Sequence, residues 1–454
     1  MMARRLGAVA RELEGRLIGR DCDFGAVSTD TRSIEPGALF VALVGERFDG
    51  HRFVPDARKL GAAGALVSRL SEAPLPQVEV RDTRLALGHM ARAWRGNFAL
   101  PVIAVTGSAG KTTVKELIAK ILSLSREVCV TQGNLNNDIG VPLTLMRLRA
   151  EHAALVVELG ANHGGEIDYL AGLVEPTVGV ITNAGAAHLE GFGSLAGVVA
   201  AKGELLDHLP RAGTAVLNAD DPHCADWSAR APTEFVTTFG FDPSADCRVV
   251  GDVAGSAQGS HFAMRLPDGE NVDVFLPLLG RSNVVNALAA AAAAQAVGVS
   301  PEHIVAGLAG AAAVPGRMTA LRGIGGATVI DDSYNANPAS VRAALDYLDG
   351  LPGQRIFVLG DMAELGEDSA RLHGEIGGYA RGRCDRLLAT GALTEHAVEA
   401  FGERASHFAE LGALQAELVH RMTAETTVLI KGSRVMGLER LAAALLDTQA
   451  GGSG

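Results

Sequence analysis

Val102-Ile103-Ala104-Val105-Thr106-Gly107-Ser108-Ala109-Gly110-Lys111-Thr112-Thr113 decides how the chain is read: an apolar run, a turn with two glycines, then a lysine opening an amphipathic stretch that continues to about Ser123. Strand, loop and helix in that order are what a phosphate site requires. Gly107 and Gly110 let backbone N–H groups approach phosphate oxygens, and the helix N-terminus adds its positive end. Lys111 can reach the β- and γ-phosphates, Thr112 can ligate Mg²⁺, and Ser108, Ala109 and Thr113 complete the cradle. The alternative is a plain strand-to-helix turn, which gives Gly-Lys-Thr no purpose there. Val105 stands where G-x-x-x-x-G-K would have its first glycine, and this turns the reading away from ordinary kinases and GTPases.

Outward from this loop, apolar runs recur and each ends in a polar or small residue. Ala154–Val157 precedes Glu158, Val178–Ile181 precedes Asn183, and Ala215–Leu217 precedes Asn218. Near-continuous apolar strands between helical segments predict a parallel sheet covered on both faces, with ligands beyond the carboxyl ends of its strands. Glu158 is therefore a candidate Mg²⁺ ligand, since a carboxylate ending a buried strand is costly unless paired or metal-bound; the alternative is a wet strand end. His188 follows another such strand by a short loop, where a histidine taken alone is commonly structural. Lys202, in Ala200-Ala201-Lys202-Gly203-Glu204, reads by itself as a solvated helix lysine. Asn283 and Asn286 fall three apart, on one helix face able to point into the crevice, unless Asn283 is merely an N-cap.

The 454 residues exceed one ordinary core, and about three domains are expected. We place them at 1–98, 99–314 and 315–454. The first, with apolar runs Ala38–Leu43 and Gly64–Val67, reads as a small α/β unit. Asp242 to Leu279 alternates and turns, predicting an antiparallel excursion. Ala287–Val299 reads as a buried helix, Val314-Pro315-Gly316-Arg317 as a hinge, and Ala327–Ile330, Arg355–Leu359 and Thr427–Ile430 as strands of a third α/β unit whose first strand ends at Asp332. Gly451–Gly454 reads as a flexible tail. With 48% hydrophobic and 20% charged residues, disorder is excluded, and a net charge of −12 offers no broad basic surface for nucleic acid or an anionic membrane. Five scattered cysteines without a C-x-x-C pair fit neither disulfide framework nor zinc knuckle, so a cytoplasmic location is expected. Neither an export signal nor a span of ~20 apolar residues is visible, so no membrane insertion is expected.

Several stretches together resemble the Mur ligase family: Thr106–Glu116, Asn134–Pro142, Glu158–His163, Asn183 with Ala187–Gly193, Asn283–Ala290, Pro315–Arg317, Ile330–Pro338, Leu359–Gly366 and Lys431–Arg434. The resemblance spans the chain and lies nearest the branch that adds D-alanyl-D-alanine to UDP-N-acetylmuramoyl-tripeptide. In the first hundred residues it rests chiefly on Ser28–Arg32 and Asp49–His51. Ser282 departs from it, standing where the family usually has histidine.

What the resemblance implies is an α/β protein of three domains: a small UDP-binding unit, a central P-loop ATPase-like parallel sheet and a C-terminal Rossmann-like unit. It implies an enzyme that moves the ATP γ-phosphoryl to a peptide carboxylate, giving an acyl phosphate that the incoming amine attacks, with ADP and phosphate leaving. Lys111, Glu158, His188 and Lys202 would be catalytic. Thr112, Glu158, His188 and Lys202 would hold Mg²⁺, with Lys202 carbamylated by CO₂. Arg317 would reach the nucleotide on closure, and Asp332 the ribose, as acids do in related folds. Ser28, Thr31, Arg32, Asp49 and His51 would face the UDP-sugar, although an ordinary turn cluster explains them almost as well. Asn335, Asn337, Lys431 and Arg434 are assigned to adenine or dipeptide contacts, and Asn134 and Asn137 to the remaining substrate contacts. A monomer with hinges near Leu100 and Pro315 is expected. The alternatives are another Mur-type or folylpolyglutamate-type ligase, or a nucleotide-dependent switch.

Overall fold

The computed structural model describes residues 4–45, 48–185 and 189–447. Its central feature is a nine-stranded sheet in the order Asn271–Leu276, Gly259–Arg265, Cys247–Ser256, Phe235–Gly240, Thr214–Asn218, Val178–Ile181, Val102–Thr106, Ala154–Glu158, Val128–Val130. The strands from Val128–Val130 to Phe235–Gly240 are parallel, and the apolar runs that announced them are buried throughout their middles. The excursion expected over Asp242–Leu279 is antiparallel, and it extends the same sheet as two hairpin pairings. Val102–Thr106 sits between Ala154–Glu158 and Val178–Ile181, so the loops after these three strands open at one end of the sheet.

The helix Lys111–Leu122 packs on one face of this sheet against Arg281–Ala296, whose Ala287–Ala294 run is buried all round. Small side chains let the two helices approach closely. The apolar helix anticipated over Ala287–Val299 begins earlier, at Arg281, and stops at Ala296, where the Val299 N–H closes on the Ala294 carbonyl past Gly298. Asn283 therefore lies inside the helix, and Gly280 occupies the cap position.

A five-stranded sheet, Arg16–Ile18, Gln77–Glu79, Gly64–Val67, Ala38–Val41, Ala26–Ser28, forms the N-terminal unit. Its helix Thr83–Arg95, capped by the Asp82 carboxylate at the Arg84 and Leu85 N–H groups, lies on the central unit. Leu6, Leu87, Leu155 and Leu217 belong to one continuous hydrophobic cluster, so the two units share a core. Packing of this kind opposes a pivot at Leu100, which itself lies against that cluster.

The third sheet runs Thr319–Arg322, Thr328–Asp332, Thr426–Lys431, Gln354–Gly360, Arg386–Thr390, Ala405–Phe408 and is parallel apart from Thr319–Arg322. Asp332 thus ends the second strand of this unit, a correction to the sequence reading. The first, Thr-Ala-Leu-Arg, is a half-exposed edge strand with no apolar run to reveal it. The third unit has its own clusters on its two faces, separate from those of the central sheet.

Candidate nucleotide and ligation site

At the carboxyl ends of the central strands the phosphate loop is held by its neighbours. Ser108 N–H donates to the Asn183 carbonyl at 3.1 Å and Ala109 N–H to Asn183 Oδ1 at 3.0 Å, while Thr182 Oγ1 donates to the Ala109 carbonyl at 2.6 Å. Gly107 and Gly110 have φ of 143° and 84°, and a Cβ at either would collide, with Thr182 Oγ1 and Asn286 Oδ1 respectively. Lys111 Nζ folds back onto the Gly107 carbonyl at 2.7 Å. Burial lowers the Lys111 pKa, against the pull of Glu158.

Glu158 is 2% exposed. Its Oε1 accepts from Asn136 Nδ2 at 2.8 Å, whereas its Oε2 is buried without a partner. A buried carboxylate oxygen left over beside a phosphate loop has the chemistry of a cation ligand, so these residues fit Mg²⁺. Lys202 is 1% exposed, near the end of the helix Leu195–Gly203, its Nζ 5.0 Å from the centre of the Phe192 ring. Burial, and next the charge of Lys111, push its pKa from 10.5 down to about 7. The solvated lysine of the plain sequence reading is therefore a buried amine. His188 lies outside the described residues.

The third unit supplies the opposite wall of a cavity of about 1120 Å³. Arg317 NH2 donates to Thr112 Oγ1 at 2.9 Å, its guanidinium lies 4.2 Å from the Tyr334 ring centre, and its buried Nε has no partner. Lys431 Nζ bonds Asp332 Oδ2 at 2.6 Å and the Asn335 carbonyl at 3.0 Å. Burial pushes the Asp332 carboxyl up, against the opposite pull of Lys431. Asn283 and Asn286 face the same space, Asn286 Nδ2 donating to Asn283 Oδ1 at 3.0 Å. Asn137 and Asn337 also line it, each with its Oδ1 already capping backbone N–H groups: Ile139 and Gly140 for the first, Ser340 for the second.

Other candidates stand apart. Arg434 is exposed, 5.4 Å from the Tyr334 ring, and is not part of the cavity lining. Nor are Asn134, Ser28, Thr31, Arg32, Asp49 and His51. Arg32 pairs with Asp30 at 2.6 Å, and Ser28 closes a turn on Asp30. Asp49 holds His51 Nδ1 at 2.8 Å and pairs with Arg69, while His51 Nε2 accepts from Ser68 N–H at 2.9 Å. This group is engaged in shaping its own loop. The sequence reading missed three elements: Asn136, which orients Glu158; Tyr334, flanked by two guanidinium groups; and the rim formed by Asp82, Arg84 and Asp138, where Arg84 pairs with Asp138 across the first two units. Asn136 stood inside the quoted Asn134–Pro142 stretch, in the loop between the edge strand Val128–Val130 and the helix Gly140–Leu145, and that stretch's resemblance was the available signal.

Fold and site define a P-loop α/β protein that collects residues from three units around one nucleotide-sized cavity. Models of the Mur ligase family catalytic domain, the Mur ligase middle domain and the Mur ligase glutamate ligase domain match residues 23–95, 105–294 and 316–434. The chain is 44% identical over 450 residues, covering 98% of it and 99% of its relative, to UDP-N-acetylmuramoyl-tripeptide--D-alanyl-D-alanine ligase of Escherichia coli K12. Among solved structures it is similar to MurF from Acinetobacter baumannii, with TM-score 0.92 and 37% identity over 98% of this chain and 99% of that one. It is also similar to MurF ligase from Thermotoga maritima in complex with ADP, with TM-score 0.84 and 28% identity over 92% and 96%. The chain belongs to the Mur ligase family.

Proposed function

We propose that this chain is an ATP-dependent ligase that joins D-alanyl-D-alanine to UDP-N-acetylmuramoyl-tripeptide, giving the pentapeptide precursor of peptidoglycan with ADP and phosphate. Full-length likeness to ligases of that name carries the reading. A cavity open to all three units supports it, since the reaction brings together a nucleotide, a peptide carboxylate and an amine.

The phosphate loop would hold the ATP phosphates through its N–H groups and Lys111, which exchanges the Gly107 carbonyl for phosphate oxygens as it offsets their charge. Thr112 Oγ1 and Glu158 Oε2 would hold Mg²⁺, which supplies neutralisation of the transferring phosphoryl group. Arg317, already at Thr112, would turn its guanidinium toward the same phosphate. The peptide carboxylate oxygen attacks the γ-phosphorus and the bond to ADP breaks. The dipeptide amine then attacks the acyl carbon, loses a proton and expels phosphate. Asn283, Asn286 and Asp332 would border the nucleoside, with Asn335, Asn337, Lys431 and Arg434 toward the adenine or the dipeptide and Asn134 and Asn137 on the tripeptide side. Ser28, Thr31, Arg32, Asp49 and His51 would serve the UDP end through the shape of their loops.

A carbamate on Lys202 is the finer part of the reading. The neutral amine attacks the carbon of CO₂, an N–C bond forms and a proton leaves, so a cation becomes an anionic oxygen ligand that would share a second Mg²⁺ with His188. The pKa near 7 supports it, because the reaction needs the neutral amine. We read the enzyme as a monomer built of units 1–98, 99–314 and 315–454, working in the cytoplasm, where five free cysteines stay reduced. Among the described residues no helix is long and apolar enough to cross a membrane.

The test is product mass with UDP-N-acetylmuramoyl-tripeptide and ATP, comparing D-alanyl-D-alanine, single amino acids and no acceptor. Pentapeptide with ADP only when the dipeptide is present supports the reading. A product with a single amino acid moves the chain to a sister ligase, and slow phosphate release indifferent to acceptor points to a switch.

A further inference from the structure

Lys115 sits one turn beyond Lys111 on the phosphate helix and is 0% exposed. A lysine wanted only for packing would be replaced there by an apolar side chain at no cost, since burying an ammonium is favourable only when its hydrogen bonds are met. They are met at a telling place: Nζ donates to the Thr131 carbonyl at 2.8 Å and pairs with Glu116 at 2.7 Å. Thr131 directly follows the edge strand Val128–Val130, and its Oγ1 accepts from the Glu158 N–H at 3.0 Å. From Thr131 the chain runs into the loop whose Asn136 holds Glu158 Oε1, and whose Asn136 carbonyl accepts from Gly160 N–H at 2.9 Å.

We propose that Lys115 is a positioning residue: its buried ammonium ties the phosphate helix to the end of the edge strand, and through Thr131 fixes the backbone and, with Asn136, the carboxylate of Glu158. The free Oε2 of Glu158 is thereby held at a set distance from the phosphate loop by a bridge that touches neither nucleotide nor cation. An edge strand has a neighbour on one side only, so its end would otherwise drift. The inference rests on Glu158 serving as the cation ligand.

The experiment measures Mn²⁺ affinity of the full chain with bound ADP, by electron paramagnetic resonance, in Lys115→Met, Thr131→Val and Glu158→Gln, beside steady-state kinetics. Lys115→Met keeps the stem and loses the charge, and Thr131→Val removes the hydroxyl while leaving the lysine in place. The expected result is an Mn²⁺ affinity weakened about tenfold or more in both, with kcat down by a similar factor. The affinity for ADP measured without divalent cation should change by less than about twofold, because the phosphate loop is untouched. Unchanged Mn²⁺ affinity in Lys115→Met and Thr131→Val, with Glu158→Gln weakened, overturns the inference alone and leaves Lys115 a folding residue. Unchanged affinity in Glu158→Gln overturns the cation reading of the site, and the inference with it.

Discussion

The central unit meets its two neighbours in different ways. Toward the N-terminal unit it presents apolar surface: one cluster runs through both, Trp94 Nε1 reaches the Leu148 carbonyl at 3.1 Å, and Arg95 donates to the carbonyls of Val174 and Glu175 at 3.0 and 3.2 Å. Toward the C-terminal unit it presents the cavity, with separate cores behind each wall and Arg317 reaching across to Thr112. Continuous apolar burial fixes one junction, whereas polar groups around open space leave the other free to change partners when ligands arrive. The first two units are thus held as one body, and the closure proposed for this chain would fall to the third.

Substitutions on the two sides should separate accordingly. The largest effect is on the polar side: Lys111→Ala should lower kcat about a thousandfold or more while melting temperature holds, measured by phosphate release and calorimetry. On the apolar side Leu87→Ala should cost about 2–5 kcal/mol in denaturant titration with kcat per folded molecule unchanged. A large kcat loss there would break the comparison. Arg317→Ala should lower kcat about a hundredfold through misplaced phosphate and abolish the ligand-induced compaction that the account expects in small-angle scattering. Gly88→Ala sharpens the first junction, since its Cβ would collide with the Tyr169 hydroxyl; about 1–3 kcal/mol of destabilisation is expected.

The polar side also carries a pH dependence of stability, at Lys202. Folded, its amine takes a proton only below about 7, and unfolded at 10.5. Between these values the unfolded chain holds one more proton, so this residue's contribution to stability is lost as pH falls from 10.5 to about 7 and then levels off. In CO₂-free buffer the stability advantage of Lys202→Met over the wild type should therefore shrink as pH rises from about 7 toward 10. A constant difference would place the amine in water.

Local chemistry was legible in the sequence wherever it coincided with a pattern. Gly107–Thr113 could be read because strand, glycine turn and helix are contiguous, and Glu158 because it ends an apolar run. Lys202 stood out only through the resemblance and Lys115 not at all, because a lysine in a helix reads as solvent-facing until tertiary packing covers it. Asn136 was hidden in a loop of asparagines, any of which could be a turn residue. The hydrogen bonds of the Asp49–His51 pair close on Arg69 and Ser68, partners in no fixed spacing with it and so not legible in the sequence.

The measurement that tests the central claim most directly labels the terminal carboxylate of the tripeptide with ¹⁸O and follows the label during turnover with ATP and D-alanyl-D-alanine. Passage through an acyl phosphate transfers one labelled oxygen to the released phosphate for each amide formed. Unlabelled phosphate, released whether or not the dipeptide is present, would mean that water attacks ATP and would contradict the account.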